Sequence, residues 1–302
     1  MFKRLLAPLD GSRLAEAVLP IAERLGQAGA TIVLLHVIER GAPMAVHGER
    51  HLSSTVEATT YLEGVAARLR AGGVTVECHT HDVPEGDVAR SIASHAAEER
   101  ADLIVLCTHG SGRVHNMLFG TIAQHVLQQG ATPVLLARPP RAGEESGPFA
   151  PRRVLVALDA TVAAEAALAA AQSIARALGS TLHLVMVVAT QRTVRGDRLA
   201  AATLLPGASR AALDLEEQQA ADYLEGWAER LRGHELAVTT EVRRGDTAAA
   251  LAAEASEPGV GLVVVATHGR AGVQAIWTGS VVAQLLSRTR APMLLLRIIE
   301  GP

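Results

Sequence analysis

KRLLAPLDGS, Lys3 to Ser12, returns later in the chain as RRVLVALDAT, Arg152 to Thr161, with the aspartate in the same place. The echo extends outward from there. YLEGVAARLR from Tyr61 recurs as YLEGWAERLR from Tyr223, Gly86-Asp87 as Gly245-Asp246, Thr108-His109-Gly110 as Thr267-His268-Gly269, and Pro133 as Pro292, always in the same order. Ordered self-similarity of this kind means two copies of one folding unit. Between the copies PPRAGEESGPFAP, Pro139 to Pro151, has the proline, glycine and charge of an exposed linker. The expected division is a domain over 1–139, a linker over 140–151 and a second domain over 152–302.

Within each copy, short continuously apolar runs alternate with longer segments of helical period, the pattern of parallel strands joined by crossover helices. The spacing predicts strands at Arg4 to Pro8, Thr31 to Val37, Val74 to His79, Asp102 to Cys107 and Pro133 to Ala137. The second copy offers Arg153 to Ala157, Thr181 to Val187, Leu236 to Val242, Gly261 to Ala266 and Pro292 to Arg297. Leu14, Val18, Ile21, Ala22 and Leu25 form one apolar helical stripe, and Leu62, Val65, Ala66 and Leu69 another. The expected fold class is α/β: two repeated, doubly wound, open parallel sheets of five strands, each with helices on both faces.

Composition restricts the partners. Lys+Arg 28 against Asp+Glu 31 leaves no cationic excess to displace counterions from a phosphate polymer, and 2% aromatic residues supply no stacking platform, so no nucleic acid partner is expected. No apolar run approaches the ~18 residues of a membrane span, and MFKRLLAPLDGS lacks the apolar core of a secretory signal. Cys78 and Cys107 lie in different expected strands without C-x-x-C spacing, so neither a disulfide framework nor a thiolate metal site is expected. These features point to a cytoplasmic protein with no membrane partner.

Ligands of doubly wound sheets bind beyond the carboxyl ends of the strands. The first strand is followed by Asp10-Gly11-Ser12 in one copy and Asp159-Ala160-Thr161 in the other. The fourth is followed by Thr108-His109-Gly110-Ser111-Gly112 or Thr267-His268-Gly269-Arg270-Ala271-Gly272, and then by Gly120-Thr121 or Gly279-Ser280 at a helix start. Glycines let backbone N–H groups approach an anion, and a hydroxyl with free N–H groups at a helix start completes a phosphate cradle. No G-x-x-x-x-G-K-[ST] is present, and Gly110-Ser111-Gly112 is followed by His115 where a dinucleotide fingerprint has its third glycine. Arg113 and Arg270 are the cations of these loops.

In this array the sequence resembles the universal stress protein family, whose signature looks like G-x-x-G-x(9)-G-[ST] after the fourth strand and P-x-D-x-S after the first. Gly110, Gly120 and Thr121 match in one copy, and Gly269, Gly279 and Ser280 in the other; Cys107 and Ala266 replace the first motif glycine. Pro8, Leu9 and Asp10 match, whereas Ala157-Leu158-Asp159 lacks the proline. The resemblance implies the strand order 3-2-1-4-5 in each copy. It implies that ATP, with Mg or Mn, is held at Leu9, Asp10, Val37, Gly110, Gly120 and Thr121 and at Leu158, Asp159, Val187, Gly269, Gly279 and Ser280. The aspartates would lie near the ribose and the valines against adenine. It also implies that Val134-Leu135-Leu136 and Met293-Leu294-Leu295-Leu296, each behind a proline, pair as edge strands in an internal pseudo-dimer, with further homodimerisation open.

Plainer roles stand beside these. The glycines serve equally as turn punctuation, and Asp10 and Asp159 as helix caps. His109 and His268 have no nucleophile or carboxylate fixed beside them, so they order their loops and no catalytic residue is assigned. His79 and His81 share one strand face with His47 and His51 nearby; solvated histidines are the default and no metal site is assigned, a metal site at this pair being the alternative left open and one private to the first copy, since the second copy shows Thr240 and Val242 instead. Cys107 reads as a small core residue, and Tyr223 and Trp227 as packing residues. Three functions remain: a nucleotide-binding regulator without enzyme activity, which is the expectation; a slow ATP hydrolase; and a nucleotide-free dimerisation module.

Overall fold

The computed structural model describes residues 2–39, 45–46, 49–50, 52–83, 88–108, 121–141, 144, 147–194, 204–233, 236–268 and 281–298. The chain forms two compact units, one of Met1–Ala150 with Pro292–Ile299 and one built on Pro151–Ala291.

In the first unit β1 (Arg4–Pro8) leads through a 3-10 turn (Ala15–Val18) into α1 (Leu19–Gln27) and β2 (Thr31–Glu39). A two-residue hairpin, β3 (Ala45–Val46) and β4 (Glu49–Arg50), precedes α2 (Thr55–Ala71) and β5 (Thr75–Val83). Then follow α3 (Val88–Glu98), β6 (Leu103–Cys107), α4 (Thr121–Gln129) and β7 (Val134–Ala137). The strands run parallel in the order β5-β2-β1-β6-β7, with Arg4 opposite Thr31, Thr31 opposite Thr75, Leu5 opposite Leu103 and Ile104 opposite Val134.

The second unit carries β8 (Arg153–Leu158), α5 (Val162–Leu178), β9 (Thr181–Val188) and α6 (Pro206–Arg232). Next come β10 (Val238–Arg244), α7 (Thr247–Ala255), β11 (Val260–His268) and α8 (Val281–Arg288). Its strands run parallel in the order β10-β9-β8-β11. The last strand, β12 (Met293–Ile298), belongs to the first unit and pairs antiparallel with β7, Met293 opposite Leu136 and Leu294 opposite Leu135. Within that unit Arg297 donates to the carbonyl of Gln128 at 2.8 Å, placing a cation at the C-terminal end of α4.

Burial explains the strand pattern. Leu5, Leu6 and Ala7 of β1 and every residue of β6 are buried, because helices cover both faces of the sheet. The α2 stripe is Ala58, Leu62, Val65, Ala66 and Leu69, all facing inward. One difference between the copies comes from a single residue. Pro20 lacks the N–H that would continue an α-helical ladder, so the segment before it winds as a 3-10 turn. The second copy has Ala169 at the matching place, and α5 is continuous from Val162. Both third strands also run past their expected ends: β5 to Val83 and β10 to Arg244. The ladder with the neighbouring strand, as far as Glu39 opposite Val83, outweighs the polar side chains.

The second unit holds a buried ion pair. Glu254, 3% exposed, accepts from Arg243 Nε at 2.7 Å and faces His183 Nε2 at 2.9 Å. Burial alone would raise the Glu254 pKa, but the hydrogen bonds from Arg243 and His183 bring it below the ordinary value. A carboxylate with a depressed folded pKa contributes its stability fully above the unfolded pKa and loses it as pH falls through the folded value. Urea denaturation midpoints should therefore fall between neutral pH and about pH 3, and Glu254→Gln should flatten that slope. An unchanged slope in the variant would exclude the pair as its source.

Candidate functional site

Strand order reverses between β1 and β6, so the carboxyl ends of these strands, and of β8 and β11 in the second unit, frame the crevice where such sheets take ligands. The residues after β1 and β8 fold into one repeated device. Asp10 Oδ1 accepts from the Ser12 N–H at 2.9 Å and the Ser12 hydroxyl at 2.6 Å, and Ser12 Oγ accepts from the Ala15 N–H at 3.1 Å. In the second unit Asp159 Oδ1 accepts from the Thr161 N–H at 3.1 Å and its hydroxyl at 2.6 Å, and Thr161 Oγ1 caps α5 through the Ala164 N–H at 3.2 Å. Both aspartates thus shape the turn that starts a helix. Asp159 is exposed, and its Oδ2 takes no hydrogen bond among the described residues.

The middle residue of each turn is left-handed, φ +90° at Gly11 and +61° at Ala160. A Cβ at Gly11 would lie 2.9 Å from Leu52 Cδ1, whereas the second unit accommodates the methyl of Ala160. Ala160→Gly should leave the second unit as stable or up to about 1 kcal/mol more stable, while Gly11→Ala should cost about 1–2 kcal/mol plus the clash. Urea denaturation of the two variants checks this opposite pair of signs.

Leu9 is buried; its N–H donates to Leu35 at 2.8 Å and its carbonyl accepts from His36 Nδ1 at 2.7 Å. His36, 1% exposed on β2, therefore fixes the chain entering the Asp10 turn, a role that sequence reasoning missed. The available signal was a lone histidine in an apolar strand. Val37 is buried at the end of β2, Leu158 is buried at the end of β8, and Val187 is partly exposed on β9. Thr108 anchors the start of the first glycine loop, its N–H donating to Ala137 at 2.8 Å and its hydroxyl to the same carbonyl at 3.1 Å. Gly110, Gly120, Gly269, Gly279 and Ser280 lie outside the described residues, as do His47, His51, His109, Arg113 and Arg270. Thr121 is the first residue of α4, and His268 ends β11.

A second repeated contact stands behind each turn. Tyr61 Oη donates to Glu16 Oε1 at 3.0 Å, and Tyr223 Oη to Glu165 Oε1 at 2.9 Å. Burial, followed by the adjacent carboxylate, raises both phenol pKa values, that of Tyr223 to about 12. Tyr223 is therefore a tie between α6 and α5 and more than a packing residue; Trp227 carries the Arg230 guanidinium 3.9 Å above its ring. Cys107 is buried, and burial with the nearby Asp10 charge pushes its thiol up to about 12; burial raises Cys78 to about 11. Neither is a thiolate at neutral pH, and Cys107 is the core residue expected.

The cations at this edge correct the sequence reading, which placed them only in the glycine loops. Beyond β9 and β10 a cleft of about 420 Å³ is lined by Thr190, Gln191, Arg192, Arg210, Leu213 and Arg244. Arg244 is compensated by Asp214 at 2.7 Å and by Glu217. Arg192 and Arg210 have no carboxylate partner among the described residues. No helix among the described residues is long and apolar enough to cross a membrane.

Two parallel-sheet units, each with an aspartate turn at the strand-order reversal, define a tandem doubly wound α/β protein. The sequence model of the Universal stress protein family matches residues 1–138 and again 151–297, and the chain belongs to that family. It is 33% identical over 144 residues to a Thermus aquaticus universal stress protein named for its place in the QAH/OAS sulfhydrylase 3'region, covering 46% of this chain and 100% of that protein. It is 26% identical over 149 residues to universal stress protein YxiE of Bacillus subtilis, covering 46% of this chain and 100% of the relative. Over 97% of its length it shares the fold of an Archaeoglobus fulgidus universal stress protein crystal structure, of which it covers 96%, with TM-score 0.68 and 19% identity.

Proposed function

We propose that the chain is a cytoplasmic regulatory protein that binds ATP, with Mg or Mn, at the carboxyl edge of each unit, and that nucleotide occupancy rather than turnover is its output. The observation that carries the reading is the duplicated turn, Asp10-Gly11-Ser12 and Asp159-Ala160-Thr161, built identically beside each strand-order reversal. Oδ1 of each aspartate is occupied in shaping its turn; Oδ2 of Asp159 faces solvent and suits a ribose hydroxyl. The glycine-rich segments that follow β6 and β11 in sequence offer backbone N–H groups to the phosphates. Lys3, the only lysine of the chain, precedes β1 at the opposite edge, so no lysine serves the phosphates. Arg192 and Arg210, without a carboxylate partner among the described residues, add positive charge to the carboxyl edge of the second unit.

Hydrolysis separates this reading from an ATP hydrolase. Purified protein with radiolabelled ATP and Mg should release phosphate far more slowly than ~1 per second, the low end of kinase turnover. Turnover at or above that rate would make it an enzyme.

A further inference from the structure

The histidines of β5 are not solvated as the sequence reading supposed. His95 of α3 and Glu99, just beyond that helix, close against them from the helical layer. His79 Nδ1 lies 3.0 Å from His95 Nε2 and 3.2 Å from Glu99 Oε1, and the three donor atoms lie within 4.8 Å of one another. The two imidazoles are splayed at 84° rather than stacked. An ion bound tetrahedrally at zinc–nitrogen distances of 2.0–2.1 Å sets its donors about 3.3 Å apart. The His79–His95 and His79–Glu99 separations of 3.0 and 3.2 Å need only a few tenths of an ångström of adjustment, and His95 Nε2 and Glu99 Oε1 lie within 4.8 Å of each other.

The surroundings are those of a metal site. A carboxylate stands near the other nitrogen of each ring, beyond hydrogen-bond distance in the metal-free chain: Glu77 is 3.8 Å from His79 Nε2 and Glu98 3.6 Å from His95 Nδ1. Carboxylates behind ligating histidines orient the ring and raise its basicity. Arg4 holds Glu99 through Oε2 and Glu77 through both oxygens, at 2.9 and 2.6 Å, leaving Glu99 Oε1 turned toward the imidazoles. His95 is 9% exposed and its Nδ1 is buried without a hydrogen-bond partner, while the His79 side chain is 28% exposed and gives access from solvent. The His81 ring lies further out, its centroid 5.9 Å from that of His95.

The second copy shows what this part of the fold otherwise contains. Strand register aligns His79 with Glu241 and His81 with Arg243, which corrects the earlier alignment to Thr240 and Val242. The constant spacing from Gly86 and Gly245 onward aligns His95 with Glu254. There Arg243 lies 2.6 Å from Glu254 and 3.6 Å from Glu241, so a resident guanidinium sits between two carboxylates. In the first unit imidazoles replace those three groups, and the nearest guanidinium, Arg4, is engaged on Glu77 and on Oε2 of Glu99, leaving the imidazole nitrogens and Glu99 Oε1 to face one another.

We propose that His79, His95 and Glu99 bind a divalent transition metal ion of the zinc class in the first unit, with solvent completing its coordination. The site lies beneath the C-terminal end of α3, toward the amino edge marked by Arg4, and is independent of the nucleotide reading.

Metal-free, tag-free full-length protein should bind Co2+ with visible d–d absorption that saturates at one equivalent and is displaced by Zn2+. His79→Ala and His95→Ala should each weaken binding at least about 100-fold, since even outer partners of ligating histidines are worth 10–100-fold. His125→Ala, exposed on α4 and not a member of the cluster, should bind as the parent does. Because His95 is buried, the isosteric Glu99→Gln provides a second variant, expected to stay folded without metal, with Arg4 still held by Glu77, and to bind at least about 10-fold more weakly. Zn2+ should raise the melting temperature of the parent but not of the histidine variants. Absence of saturable Co2+ absorption, or equal binding by parent, His79→Ala and His95→Ala, would overturn the site.

Discussion

Leu135→Asp is expected to destroy the ordered sheet of the first unit. Leu135 is fully buried in β7, opposite Val105 of β6 on one side and Leu294 of β12 on the other. Removing the leucine side chain costs about 2–5 kcal/mol by itself, and an unpaired carboxylate in the same place adds several more. A domain stable by about 5–15 kcal/mol does not survive that sum with margin. Leu135→Ala separates the two contributions and should remain folded with a lowered urea midpoint. Hydrogen exchange gives the local readout: amides of Leu136 and Leu294 should be protected in the parent and exchange freely in Leu135→Asp. Free exchange of both in the parent, or parent-like stability of the aspartate variant, would contradict the β7–β12 ladder.

The second large effect is on ligand binding. Gly120→Val and Gly279→Val place β-branched side chains where the proposal brings phosphate against backbone, one ahead of α4 and the other two residues ahead of α8. Each variant should lose its own unit's ATP site, a weakening of at least about 100-fold or ~2.7 kcal/mol, with little change in melting temperature. The double variant should bind no ATP. Unchanged affinity in both single variants would remove the glycine segments from the site.

Much of this architecture is legible in the sequence because its strands are buried on both faces. A run such as Leu103–Cys107 has no amphipathic compromise to obscure it, and duplication allows each half to check the other. The outer strands are less legible. β5 and β10 continue through Thr80, Asp82, Arg243 and Arg244, where the ladder with β2 or β9 decides the conformation and side-chain polarity points the other way. Pro20 is visible in the sequence, yet its consequence, a 3-10 turn in one copy where the other has α-helix, becomes plain only beside α5.

The candidate site divides similarly. Asp-x-Ser/Thr is a local device, so Asp10 with Ser12 and Asp159 with Thr161 could be read as turn and cap from spacing alone. Contacts between distant segments carry no such signal. His36 to Leu9, Tyr61 to Glu16, and Arg192 near Arg210 and Arg244 depend on which strand ends and helices the topology brings together. His79 shows the same limit, because its important neighbours, His95 and Glu99, come from the next helix and not from the alternation that singled out His81.

The most direct test is a calorimetric titration of the full-length protein with ATP in the presence of Mg. The account predicts saturable binding at up to two sites per chain, lost one unit at a time in Gly120→Val and Gly279→Val. Absence of saturable binding by the folded parent protein would contradict it.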